Sequence, residues 1–446
     1  MRRLSQAIHG VVSCAYMDAN RPKPRPGMLA VVIPGFLIAA TGVGAGDLAT
    51  AGFAGIKLGT AVLWAIVVGA ALKFVLTEGL TRWQLTTGQT LLEGAVDKLG
   101  RPVSLLFAIY LVPWSFFVGA ALISACGVTA SAIVPVADDP QLSKLIFGVL
   151  HSVAGIALVW FGGYRVFEKI MMVCVGVMFA AVLATAIMIA PQWDDVLRGL
   201  VVPAIPLLET GGLTWTIALT GGVGGTVTIL CYGYWIRERG RTGALDLSVC
   251  RIDLGVGYLA TALFGIAMLI IAASARSETF DVKGAGLIVA LGDQLRETLG
   301  PAGQWIFLIG AWAAVFSSLL GVWQAVPYLF ADFWRLQPWR SRRAIESSRA
   351  HIDRAPVDTQ GRAYRSYLLA IGLVPLIQLQ VSFEQAQKLY AVMGAFFLPM
   401  LALVLLIMNS RAKWIGAAHR NRIWTQIVLM ATLLFFALAG YWSLAS

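Results

Sequence analysis

The sequence predicts an all-α polytopic membrane protein with about eleven transmembrane helices. Ten of them form two five-helix halves of inverted topology, and helices 1 and 6 are broken. Three observations predict this. Of the 446 residues, 58% are hydrophobic and only 13% are charged, more apolar surface than a soluble domain of this length can hide. Apolar runs of membrane length recur from end to end. Two of them carry glycine clusters beside polar residues near mid-length, and paired interruptions in corresponding spans mark inverted repeats.

The runs lie at 29–56, 60–82, 103–135, 144–163, 168–191, 213–236, 252–274, 303–333, 366–382, 387–408 and 422–443. Residues 29–191 make the first repeat and 213–408 the second, with a polar loop at 334–365 inside it. The helix at 422–443 stands outside the repeat. Residues 1–28 read as a tail: their apolar part is short and is followed by Arg21, Lys23 and Arg25, which argues against a signal peptide.

The net charge of +11 would suggest nucleic acid in a soluble protein. Here the basic residues lie between spans. One alternate set of loops carries RERGRTGALDLSVCR, WRLQPWRSRRAIESSRAHIDR and RAKWIGAAHRNR; the other carries VADDPQLSK, PQWDD and VSFEQ. The positive-inside rule makes the first set cytoplasmic. The N-terminus is then inside, the C-terminus outside, and the protein lies in the plasma or inner membrane. The five cysteines, Cys14, Cys126, Cys174, Cys231 and Cys250, lack metal or disulfide spacing.

The first span contains ATGVGAGDLATAG, Ala40 to Gly52, with four glycines and one acid, Asp47. Glycine permits backbone angles that a continuous helix forbids. A break at membrane depth frees amides and carbonyls that have no water to bind, which is tolerable where the break lines a cavity and holds a polar species. A mid-membrane carboxylate is costly and usually functional. Span 6, TGGVGGTVTILCYGYW, repeats the glycine pattern. Close helix packing is the other reading of these glycines. Asp47 could instead be the charge partner of Lys73, the one basic residue deep in a span. Glu78 and Arg82, four apart, read as a local pair.

PGFLIAATGVGAGDLATAG resembles the first span of the NRAMP (natural resistance-associated macrophage protein) family of metal-ion transporters. Pro34-Gly35-Phe36-Leu37 and Ala49-Thr50 keep that family's spacing. GGTVTILCYGYW resembles its sixth span, FFLPMLALVLLIMN its tenth, and Ser317, Ser318 and Gln324 more loosely its eighth. The resemblance implies a LeuT-like fold and secondary transport of divalent metal ions. The chemistry departs from the pattern. Gly44 stands where the family has its metal-binding aspartate, Ala45 where it has proline, and Asp47 where it has asparagine. Thr228 replaces the methionine ligand and Leu230 the histidine, and span 3 lacks the family's proton-carrying acids.

Asp47 lies three residues after Gly44 and in a helix shares its face. The substrate-binding candidates are therefore Asp47, Gly44, Gly46, Gly225, Thr226, Thr228 and Gln324, with Asp47 and Thr228 as metal ligands. This all-oxygen set suits hard cations such as Mg²⁺ or Mn²⁺ rather than soft metals. The alternative is a small organic solute, with Trp114, Tyr232, Tyr234 and Trp235 lining a pocket or, taken singly, packing in the core. An enzyme is excluded by the isolated histidines, His9, His151, His351 and His419, and by the absence of catalytic or nucleotide motifs. No cofactor is expected beyond a transported divalent cation. The partners are that ion or solute and the lipid bilayer, with no nucleic acid.

Overall fold

The computed structural model describes residues 28–207, 211–222, 224–275, 286–337, 357–380 and 383–445. The expected tail and most of the 334–365 loop lie outside the described residues. Within them every regular element is helical. Span 1 is two helices, α1 (Met28–Gly42) and α2 (Ala45–Leu58), separated at Val43 and Gly44. A 3-10 turn, Gly59–Val62, leads into α3 (Leu63–Thr87), the second span. The short helix α4 (Leu91–Leu99) is capped by Thr90, whose hydroxyl accepts the Glu93 N–H while the Glu93 carboxylate accepts the Thr90 N–H. The third span is α5 (Arg101–Ile133).

The next element, α6 (Pro140–Met188), has 49 residues, about 74 Å of helix and more than twice the hydrocarbon thickness. Gly163 leaves the helical region (φ 65°, ψ 176°) and divides it into spans 4 and 5. After the amphipathic α7 (Trp193–Val201), span 6 is assembled from α8 (Gly212–Gly222), a 3-10 turn Val227–Cys231 and α9 (Tyr232–Glu238). Then come α10 (Leu247–Ser274), α11 (Gly286–Arg335) and α12 (Arg362–Leu373), which a 3-10 turn Val374–Gln380 extends. Span 10 is α13 (Phe383–Ala395) followed by α14 (Phe397–Ser410). The short α15 (Ala412–Ile415) precedes the eleventh span, α16 (Ile423–Ala445).

Among the described residues six helical stretches, Gly212–Glu238 with its break included, are long and apolar enough to cross a membrane, beside the shorter apolar helices Val32–Gly42, Phe397–Ser410 and Ile423–Leu438. Six stretches and eleven spans are compatible because some stretches carry two spans, such as Pro140–Met188, and other spans fall into shorter helices. Two helices are absent from the sequence reading: α4, and residues 286–299 at the start of α11. They occupy matching places, between the second and third spans of each half. Each ends at a glycine in nearly the same backbone state, Gly100 (φ 88°, ψ −177°) and Gly300 (φ 76°, ψ −176°), and each glycine is followed at once by the third span of its half. Side-chain-bearing residues avoid that region, so the recurrent joint is a local trace of the repeat.

The core forms where α1 and α2 lie along α10, and where α5, α6 and α11 pack together. Contact at α1 is at backbone distance: a Cβ on Gly35 would fall 2.2 Å from the Asp253 carbonyl oxygen. The Asp253 carboxylate accepts the Gly35 N–H (2.7 Å), the Tyr232 hydroxyl (2.7 Å) and the Arg241 guanidinium (2.8 Å). One fully buried acid thus ties span 1, span 6 and span 7 together at the end that carries the basic loops.

Candidate functional site at the paired helix breaks

Span 6 breaks because Gly224 and Gly225 both take left-handed angles (φ 83° and 81°), where a side chain is costly. Span 1 breaks differently. Gly44 has a negative φ (φ −143°, ψ −139°), so it is not held in the left-handed region. Its requirement for glycine is spatial: a Cβ would lie 2.2 Å from both Cβ and Oγ of Ser318 in α11. Ser318 Oγ donates to the carbonyl of Thr41, one of the acceptors freed where α1 ends (2.8 Å). The space of the side chain that the family resemblance places at Gly44 is therefore filled by a serine from span 8.

The two breaks touch. A Cβ on Gly42 would meet Gly224 C at 2.4 Å and Gly225 N at 2.8 Å. Asp47 lies in the first turn of α2, where the helix dipole favours a carboxylate. It is 1% exposed, and its carboxylate accepts the Gly224 N–H at 3.2 Å to Oδ1 and 3.4 Å to Oδ2. The acid of one broken helix thus satisfies an amide freed in the other.

Lys73, mid-way along α3 and fully buried, reaches the same point. Its Cδ is 3.6 Å from where a Gly224 Cβ would stand. Its ammonium is the charged group that acts on Asp47, and Asp47 the one that acts on it. The two side chains that the competing reading pairs thus approach the same glycine and act on each other electrostatically.

Aromatic residues close the other side. Trp114 Nε1 donates to Thr226 Oγ1 at 3.2 Å, and Tyr390 of α13 lies beside Thr226. The two rings are 6.4 Å apart. A Cβ on Gly46 would be 2.7 Å from Tyr390 Cε1, and one on Gly225 2.6 Å from Thr228 Oγ1. Asp47, Gly44, Gly46, Gly225, Thr226 and Thr228 therefore converge, and Trp114 joins them.

Gln324 is spent elsewhere. Its Oε1 accepts the Trp235 Nε1–H at 2.9 Å, and its carbonyl accepts the Tyr364 hydroxyl at 2.8 Å. Tyr232 and Tyr234 likewise bond Asp253 and Asp332, so three aromatics of span 6 anchor α9 rather than line a pocket. Sequence reasoning missed Ser318 as a neighbour of the break and missed Tyr390. The visible signals were the Ser317-Ser318 pair and a lone hydroxyl in the apolar stretch KLYAVMG.

His151 is a packed residue. Trp312 Nε1 donates to its Nε2 (2.9 Å), which leaves Nδ1–H to donate to the Phe147 carbonyl (2.7 Å). Among the described residues no group of three or more His, Cys, Asp or Glu is placed to hold a metal ion. The oxygen donors at the breaks include the Asp47 carboxylate, the Thr226 and Thr228 hydroxyls and backbone carbonyls, with Ser318 and Tyr390 beside them.

A polytopic helical fold with two touching helix breaks at membrane depth, each lined by polar groups, defines a membrane transporter rather than an enzyme. Residues 35–446 match the family described as natural resistance-associated macrophage protein-like, Nramp. The chain belongs to this family. Among solved structures it is similar to a point mutant of the Eremococcus coleocola manganese transporter at 16% identity, with 94% of this chain and 88% of that one covered and a TM-score of 0.72. It is also similar to MhsT in complex with L-phenylalanine, at 15% identity over 95% and 99% of the two chains, TM-score 0.60. A Na⁺-coupled sialic acid symporter follows at 15% identity over 92% and 88%, TM-score 0.54. No curated protein matches in sequence. At these identities the likeness shows the fold, which is that of LeuT-like transporters.

Proposed function

We propose that this protein is a secondary transporter that carries a divalent metal cation of the hard class, Mg²⁺ or Mn²⁺, through the junction of spans 1 and 6. The observation that carries the reading is the buried Asp47 carboxylate meeting the break of span 6 at Gly224. It supplies one anionic oxygen, with Thr226, Thr228 and the carbonyls freed at both breaks beside it. Mg²⁺ keeps several waters and needs only one or two carboxylates, so a partly hydrated ion fits this sparse set. Thr228 stands where the family resemblance places a thioether, so soft metals lose that donor. The alternation of loop charge supports a cytoplasmic N-terminus and an external C-terminus. The test is uptake of Mn²⁺ and Mg²⁺ into proteoliposomes under imposed ion gradients. Absence of flux under every gradient rejects the reading.

A second reading, transport of a small organic solute, is favoured by one feature. Lys73 sets a cation beside Asp47, and a junction carrying both charges next to Trp114 and Tyr390 suits a zwitterion with an apolar body. Thermal stabilisation by amino acids but not by divalent cations selects it.

A further inference from the structure

A second charge at the junction bears on how cargo enters. Lys73 and Asp47 come from different spans and approach the same glycine. The Asp47 carboxylate takes the Gly224 N–H at 3.2 Å, and the Lys73 stem lies against Gly224. Neither side chain is solvated: they are 0% and 1% exposed. At membrane depth an unpaired charge is strongly disfavoured, and the two side chains, both brought to Gly224, lie within electrostatic reach of each other. Lys73 is also held from behind. Its carbonyl accepts the Thr77 hydroxyl at 2.7 Å, and that hydroxyl bonds Tyr258 at 2.6 Å. The backbone at Lys73 is thus held by Thr77, while its ammonium sits on a tether of four methylenes.

We infer that Lys73 is the resident counter-cation of Asp47, which a cationic cargo must displace in order to bind. The cargo-free junction is then electrically balanced, and the ammonium holds the place that the cargo takes. Lys73 becomes the residue that sets cargo affinity and discriminates by charge. A divalent ion outcompetes one ammonium for a carboxylate, whereas a monovalent ion has no such advantage. The inference rests on the cation reading of the site, yet the pairing itself is testable without cargo. An ammonium that holds the carboxylate about nine-tenths of the time raises the apparent Kd for cargo about tenfold, because only the free fraction binds.

The experiment uses the full-length purified chain with MnCl₂ as probe, read by isothermal titration. Lys73→Met keeps most of the apolar stem and removes the charge; Lys73→Arg keeps the charge. The expected result is Mn²⁺ binding at least tenfold tighter in K73M than in wild type, with K73R near wild type. Equal or weaker binding in K73M overturns the inference. A thermal-melting cycle over wild type, D47N, K73M and D47N/K73M runs beside it. The expected result is that each single variant melts lower than the double variant, since each leaves one buried charge unbalanced. Strictly additive losses overturn the pairing. If Mn²⁺ binds none of the proteins while the cycle shows coupling, the cation reading has failed and the pairing stands. If Mn²⁺ binds wild type and K73M alike, the displacement role has failed and the cation reading stands.

Discussion

Ser318 of span 8 occupies the volume that a side chain at Gly44 of span 1 would need: the missing Cβ would lie 2.2 Å from Ser318 Cβ and Oγ. A side chain at Gly44, which the family resemblance would place there, and the present position of this serine therefore exclude each other. Ser318 also closes the Thr41 carbonyl at 2.8 Å, so the serine repairs the helix end that its own approach has crowded.

This makes restoration of a second acid a test with a defined sign. Gly44→Asp alone is expected to destabilise the protein, by about 1–3 kcal/mol for overpacking alone, and to bind metal no better. The pair Gly44→Asp with Ser318→Gly is expected to recover part of that loss and to bind Cd²⁺ or Mn²⁺ more tightly than wild type. Melting in detergent and metal titration measure both. A G44D single variant as stable as wild type would show that the contact yields freely.

Asp253 is expected to dominate stability at the basic end. It holds a backbone amide, a phenol and a guanidinium at 2.7–2.8 Å, with no exposed side-chain surface. Asp253→Ala leaves Arg241 without its buried counter-charge, a loss of about 3–5 kcal/mol. Gly35→Ala is expected to disturb the same contact, because its Cβ meets the Asp253 carbonyl at 2.2 Å. Melting temperature reads both. An unchanged melt for D253A would mean that Arg241 finds another partner at little cost.

How much of this was legible follows from range along the chain. The spans, the paired breaks, Asp47 and the Glu78–Arg82 pair (3.2 Å) rest on hydropathy or local spacing, which a sequence displays. The repeated joint at Gly100 and Gly300 was local too, but its backbone angles do not show in composition. The rest is long-range: Ser318 at Gly44, Asp253 on Gly35 (218 residues apart), and Tyr390 against Gly46. No periodicity announces which glycine faces which side chain. The reach of Gln324 to Trp235 was invisible for the same reason, which is why a polar residue beside a family motif read as a ligand.

Gln324 separates these roles experimentally. Its side chain holds Trp235 at 2.9 Å, so Gln324→Leu is expected to loosen α9. The hydrogen bond is worth about 0.6–1.7 kcal/mol in a membrane setting. Substrate affinity at the breaks should stay within about twofold, a difference of roughly 0.4 kcal/mol. A melt combined with equilibrium Mn²⁺ binding distinguishes the outcomes. A large loss of affinity with an unchanged melt would return Gln324 to the binding set.

Asp47→Asn is the decisive variant for transport, and its interpretation depends on Gly224. Asparagine keeps an oxygen that accepts the Gly224 N–H, so the two breaks remain tied. What disappears is the negative charge, and with it the balance against Lys73. A cation entering D47N meets two hydroxyls, neutral carbonyls and an ammonium; Coulomb attraction has become repulsion at close range. Divalent uptake into proteoliposomes is therefore expected to fall at least a hundredfold, with melting lowered by the cost of leaving Lys73 unbalanced and restored in part by Lys73→Met. The companion Asp47→Glu retains the charge on a longer stem and should keep measurable uptake at reduced rate. If D47N transports Mn²⁺ as wild type does while remaining folded, the carboxylate takes no part in carrying the ion, and the cargo must be held by backbone oxygens alone.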